Sequence, residues 1–137
     1  MAGSGEHPAR EWDLLWFGGL IDKQNGILDD AIDKFRQVGE GGFEQAQGRG
    51  FDFAKDYTVL NELGRTLYQR ARQERGEARL ARREQLLREA QEVFESVLVL
   101  DPENTTAHYN LQQIHDELGE EEEARAHAAL HRKYKVD

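Results

Sequence analysis

The chain has no cysteine and only two prolines among its 137 residues. Without cysteine there can be no disulfide, no thiolate zinc site, no haem attached through Cys-x-x-Cys-His and no cysteine nucleophile. Serine is nearly missing as well: apart from Ser4 there is Ser96 alone, on an expected helix. The glycines of Gly39 to Gly50 lack the Gly-Lys-Ser/Thr ending of a phosphate-binding loop. Long apolar runs are absent. The longest, Leu14 to Ile21, falls far short of the ~20 residues of a membrane span. Met1 to Asp13 has no apolar segment of the signal-peptide kind. Carboxylates are plentiful, but Asp29-Asp30 and Glu120 to Glu123 fall at expected helix starts, where the macrodipole favours negative charge. These absences point away from an enzyme, a cofactor and a membrane partner, and make the cytoplasm the default location.

What the chain has is charge and helical periodicity. It is 33% charged and 38% hydrophobic, with a formal net charge of -9. One elongated domain over residues 11–137 is expected, after a flexible lead-in at 1–10. Trp12, Leu15, Trp16, Gly19, Leu20 and Lys23 recur at helical steps. Asn25-Gly26 is a helix stop, since both residues tolerate the left-handed cap conformation. Ile27, Leu28, Ala31, Ile32, Phe35 and Val38 give the stripe of a second helix. Gly39 to Asp56 breaks the pattern. Its glycines disfavour helix, and Phe43, Phe51 and Phe53 suggest a long loop whose aromatics tuck against the helices.

Periodicity resumes with Leu60, Leu63, Gly64, Leu67, Tyr68 and Ala71. It crosses an Arg/Glu-rich stretch broken at Gly76 and continues through Leu80, Leu86, Leu87, Ala90, Phe94, Val97 and Leu98. Asp101-Pro102 stops it, because a residue before proline avoids the helical region. Asn104 or Thr105 is placed to cap the next helix, with Ala107, Leu111, Ile114 and Leu118 as its stripe. A last helix follows Gly119 through Ala124, Ala128 and His131. No segment alternates like a strand. The fold class is therefore all-α, six helices in three hairpins.

The hairpins repeat. Leu60-x2-Leu63-Gly64-x2-Leu67 is followed by Ala90-x3-Phe94 and Pro102; His108-x2-Leu111-Gln112-x2-His115 by Ala124-x3-Ala128; Leu15-x2-Gly18-Gly19-x2-Asp22 by Ala31-x3-Phe35. This resembles the tetratricopeptide pattern W-x2-L-G-x2-Y, A-x3-F, P. The resemblance runs from about Trp12 to Lys135, with repeats near 12–38, 57–104 and 105–137 and a loop at 39–56. Gly18, Gln112 and Val136 depart from it. So does the second repeat: Gly64 and Ala90 are 26 positions apart, Gln112 and Ala124 only 12. The excess of 14 residues, Ala71 to Glu84, is close to four helical turns. Two turns added to each helix would keep both stripes in phase and project a tip ~10 Å beyond the stack, with Gly76 at the tip.

The resemblance implies a protein-interaction scaffold whose concave groove is lined by the first helix of each pair. By position that groove would present Trp16, Leu20 and Lys23, then Asn61, Arg65 and Tyr68, then Tyr109, Gln113 and Asp116. Aromatic, amide and guanidinium groups suit a protein or peptide ligand. Trp16 and Tyr109 could instead simply pack between hairpins. The paired Lys and Asn of the family's chaperone-binding carboxylate clamp are missing.

The alternative is a structural module that self-associates, as a homo-oligomer, through the end hairpin or an Arg-rich projection. Arg65 to Glu89 carries a net +4 against -13 for the remainder. Arg72, Arg75, Arg79, Arg82 and Arg83 cluster on the expected tip, where they could dock an acidic surface or simply be solvated. Arg70–Glu74, Glu84–Arg88 and Arg88–Glu92 are spaced for pairing along a helix. Overall acidity argues against nucleic acid. His108, His115, His127 and His131 gather in the third repeat, but with no clear further ligand they are expected to pack rather than hold metal. The His-rich ending with Lys133-Tyr134-Lys135 is also similar to tetratricopeptide segments beside bacterial multihaem cytochrome domains. That likeness implies a segment of a larger, periplasmic protein.

Overall fold

The computed structural model describes residues 8–41 and 57–135. The phenylalanines of the expected loop, residues 1–7 of the lead-in and Val136 lie outside the described residues, while residues 8–10, expected in the lead-in, belong to the first helix. Among the described residues six α-helices follow one another: α1 (Pro8–Gln24), α2 (Leu28–Arg36), α3 (Tyr57–Ala71), α4 (Leu80–Leu100), α5 (Thr105–Glu117) and α6 (Glu121–Tyr134). No strand occurs among the described residues. Successive helices pair as hairpins, α1 with α2, α3 with α4 and α5 with α6. The second helix of each hairpin packs on the first helix of the next. The architecture is the all-α helical-hairpin repeat that the periodicity predicts.

The repeat is visible in the packing. Phe35 and Phe94 are fully buried. A Cβ added at Gly19 would stand 2.6 Å from the Phe35 ring, and one at Gly64 would stand 2.7 Å from the Phe94 ring. In each hairpin the missing side chain makes room for the ring, so the two helices approach closely. In the third hairpin Gln112 and Ala128 take these positions: the large ring has gone, and the glycine is no longer needed. The hairpin turns share Gly26, Gly76 and Gly119, at φ of 80°, 91° and 77°. Only glycine adopts that region without steric cost. One core cluster runs through the stack from Ala31 and Phe35 through Leu67, Leu86 and Phe94 to Leu111 and Ile114.

The structure changes two expected boundaries. The second helix does not give way to loop at Gly39. It widens into a π-helical turn, Gln37–Gly41, which keeps Val38 1% exposed in the core.

The extra 14 residues are also distributed unequally. Relative to the third hairpin, α3 is two residues longer beyond the Gly64 position, the turn five longer, and α4 seven longer before the Ala90 position. The symmetric pair of lengthened helices is therefore incorrect. Between Ala71 and Leu80 only Ala78 is apolar, and a helix with nothing to bury gains little from packing. Instead the chain folds back. Glu74, only 4% exposed, lies between Arg70 and Arg79 at 2.9 Å from each. A short 3-10 turn, Glu77–Arg79, leads into α4. The added turns of α4 reach sideways to α5 through Arg83 and Glu117, rather than standing alone as a tip.

Candidate functional site

An open cavity of about 520 Å³ lies where α3, α5 and the end of α6 meet. Arg65 enters from α3, Thr105, Thr106, Tyr109 and Asn110 from α5, His131 from the last turn of α6 and Lys135 from just beyond it. The local sequence explains the placement. Ala107, His108 and Leu111 are buried, which turns the opposite face of α5 outward and leaves Tyr109 45% exposed. Asn104 accepts a hydrogen bond from the Ala107 N–H at 2.9 Å, fixing the start of α5. The Asn110 amide donates to the Thr106 carbonyl at 2.8 Å. Tyr109 and His131 face each other with ring centres 5.4 Å apart.

Of the predicted groove residues, Arg65 and Tyr109 therefore share a cavity. The others do different work. Trp16 packs on Phe35 at 5.4 Å, and Leu20 lies against the core. Lys23 pairs with Glu62, tying α1 to α3. Asn61 donates to the Asn104 side chain at 3.3 Å, holding the α4–α5 turn on α3. Tyr68 is buried near the Glu117 carboxylate. Burial and that carboxylate both push its pKa up. Gln113 is half-buried beside the core residues Leu111 and Ile114, and Asp116 is exposed. Trp16, Leu20 and Asn61 are half-buried and Tyr68 is buried, each with a neighbour inside the chain, and none of the four lines this cavity. Thr105, Thr106, Asn110 and Lys135 were missed, and His131 was read only as a metal candidate. Their signal was a polar stripe at i, i+3 and i+4 on α5 and a four-residue step on α6.

The arginines expected at a projecting tip are largely engaged. Arg72 stacks over the Tyr68 ring at 5.9 Å, and the Arg75 Nε donates to the Arg72 carbonyl at 3.5 Å. Arg79 bonds Glu74, and Arg83 bonds Glu117. Arg82 borders a smaller cavity with Asp29, Asp33 and Glu89. Of the three pairs expected along helices, Arg70–Glu74 forms at 2.9 Å. Arg88 instead makes a two-pronged contact with Glu120 on the next hairpin, both bonds at 3.1 Å. Arg88 and then His115 hold the Glu120 carboxyl below its usual range. Arg79, then Arg70, do the same for Glu74 against the opposing effect of burial.

The histidines form a buried network between α5 and α6. The His108 Nε2 lies 2.8 Å from the Pro102 carbonyl, which can only accept, so that nitrogen carries the proton. Its Nδ1 then accepts from the His127 Nδ1 at 2.9 Å. His115 stacks on His127 at 5.5 Å and reaches Glu120 through Nδ1 at 2.8 Å. Burial, then His108 and His115, lower the His127 pKa; Glu95 opposes them. Among the described residues no group of three or more His, Asp or Glu is arranged to hold a metal ion, and no helix is long and apolar enough to cross a membrane. The chain matches no protein-family profile, and a search of the curated proteins returns no relative.

Proposed function

We propose that this chain is a tetratricopeptide-like, non-enzymatic interaction module that binds a partner protein or peptide in the cavity between α3, α5 and α6. The observation that carries the reading is Tyr109: a half-exposed aromatic on a polar, open cavity, beside an Arg65 that makes no ion pair among the described residues. Large rigid side chains of this kind lose little entropy on binding and commonly anchor interfaces. The recurring Gly–Phe contact and the 12-residue step from Gly19 to Ala31 and from Gln112 to Ala124 support the family reading.

The test is affinity capture from lysate of the source cell, with and without nuclease. Wild type is run beside Tyr109→Ala and beside a triple variant with Arg79→Glu, Arg82→Glu and Arg83→Glu. A specific protein retained by wild type and the triple variant, but lost with Tyr109→Ala, is the expected result. Retention by Tyr109→Ala overturns the assignment of the site.

A second reading, self-assembly through the end hairpin, is favoured by one observation. Leu14, Phe17 and Ile21 are 66%, 58% and 56% exposed on α1. Spaced at i, i+3 and i+7, they share one outward face.

A further inference from the structure

Resting on that reading, we infer that the cavity selects an acidic peptide segment, one with at least two spaced carboxylates. The argument is a contrast of charge. The chain as a whole is acidic, at -9, yet among the described residues no Asp or Glu lines this cavity. Arg65, His131 and Lys135 approach it from two different helices. Two other surface cavities mix both signs, Asp29, Asp30 and Glu74 with Arg70 and Arg79 in one, and Asp29, Asp33 and Glu89 with Arg36 and Arg82 in the other. Elsewhere the basic side chains of Lys23, Lys34, Arg36, Arg70, Arg79, Arg83 and Arg88 have carboxylate partners. Arg65 and Lys135 have none among the described residues. Both are placed to receive a carboxylate from a partner.

The chemistry narrows the ligand further. A guanidinium fork recognises carboxylate in a two-pronged geometry. The Thr105 and Thr106 hydroxyls add neutral donors, and the first turn of α5 adds the positive end of its dipole. At about 520 Å³ the cavity is far larger than one inorganic anion, and its basic groups lie on separate elements, so they suit charges spaced along a chain. The Tyr109 ring offers an apolar face for a residue between the carboxylates. A nucleic acid would meet the same basic groups, but it carries far more charge than a short peptide, so the negative field of the whole chain opposes it more strongly.

The probe is an acetylated, amidated decapeptide of alternating Glu and Ala, titrated into the isotope-labelled full chain and followed by NMR. Its Gln-for-Glu counterpart and inorganic phosphate are titrated in parallel. Saturable shifts confined to Arg65, Tyr109, Asn110, His131 and Lys135 are expected with the acidic peptide alone. Arg65→Glu and Lys135→Glu should each weaken binding roughly fivefold or more, as should raising salt from about 50 to about 300 mM. Both residues are exposed and have no ion-pair partner among the described residues, so circular dichroism of the variants should match wild type. Arg72→Glu, just beyond the far end of α3, serves as the control and should change binding little.

Equal binding of the Gln peptide overturns the inference. So does phosphate binding as tightly at the same residues, which would make this a small-anion site. Shifts spread over Arg72, Arg75 and Arg82, or no saturable binding, overturn it as well. A captured natural partner that needs Tyr109 but tolerates both charge reversals leaves the interaction-module reading standing and removes the acidic preference. A partner indifferent to Tyr109 removes the module's site instead.

Discussion

At the residue scale, two glycines set how closely the hairpin helices approach. Alanine is normally better than glycine inside a helix, by up to ~1 kcal/mol. At Gly64 the added methyl would collide with the fully buried Phe94 ring at 2.7 Å. Overpacking of this kind costs ~1–3 kcal/mol. Gly64→Ala should therefore destabilise the chain by about 1–2 kcal/mol net, read as a lower urea midpoint. In a Phe94→Leu background the same change should cost clearly less, because the obstructing ring is gone. Equal costs in both backgrounds would show that the contact is not what requires glycine. The motif could be read from sequence as a small residue paired with a large one. The atoms that meet could not, because Gly64 and Phe94 are 30 positions apart.

At the scale of the element, the third hairpin depends on one cap and one histidine network. The Asn104 side chain caps α5, donates to Asp101 at 3.1 Å and receives the Asn61 amide. Losing a cap costs ~1 kcal/mol, so Asn104→Ala should cost at least that by urea denaturation. Asn104→Asp keeps the capping acceptor and should retain most of that contribution.

The network predicts a pH effect with a definite sign. His127 is folded in its neutral form, with its pKa lowered. The groups facing it are His108 and His115 from α5 and Glu95 from α4. The unfolded chain takes up this proton at the higher pH, near ~6.5. The associated stability is complete above that value and is lost as pH falls through the lower, folded one. Wild type should thus lose more stability than His127→Gln between about pH 7 and pH 5.5. Identical slopes would assign the loss to other groups. Glu74 and Glu120 belong to a separate window. Their lowered pKa values make their contribution full above the usual carboxylate range, near ~4.3, and lost only at more acidic pH.

At the scale of the whole molecule, α1 is the element that the stack leaves half covered. Its inner face, with Trp16, Gly19 and Leu20, packs as the stripe predicts. Its outer face exposes Leu14, Phe17 and Ile21. A helix apolar on both sides is normally buried on both sides. If the end hairpin assembles with a second copy, mass by sedimentation should rise with concentration in wild type. It should remain that of a monomer in a variant carrying Phe17→Glu and Ile21→Glu. A wild-type mass independent of concentration counts against the second reading and leaves the cavity as the better account of function.

How much was legible differs between fold and site, for a physical reason. The six helices, their inward stripes and the turns at Gly26, Gly76 and Gly119 follow from local periodicity and from backbone conformations open to glycine. Those are properties of neighbouring residues, so the sequence by itself determined them. It also held the Gly19–Ala31 and Gln112–Ala124 steps, hence the repeat. Tertiary structure decided which polar side chains remained free. Tyr68 and Asn61 look like Arg65 and Tyr109 in sequence. Yet Glu117 and Asn104, far along the chain, engage the first two and leave the second two at an open cavity. It likewise decided where the extra 14 residues went. Glu74 closed an ion pair across the turn, and Arg83 and Arg88 found carboxylates on the next hairpin. Long-range pairing of charges depends on the distances that packing creates, and no local pattern encodes those.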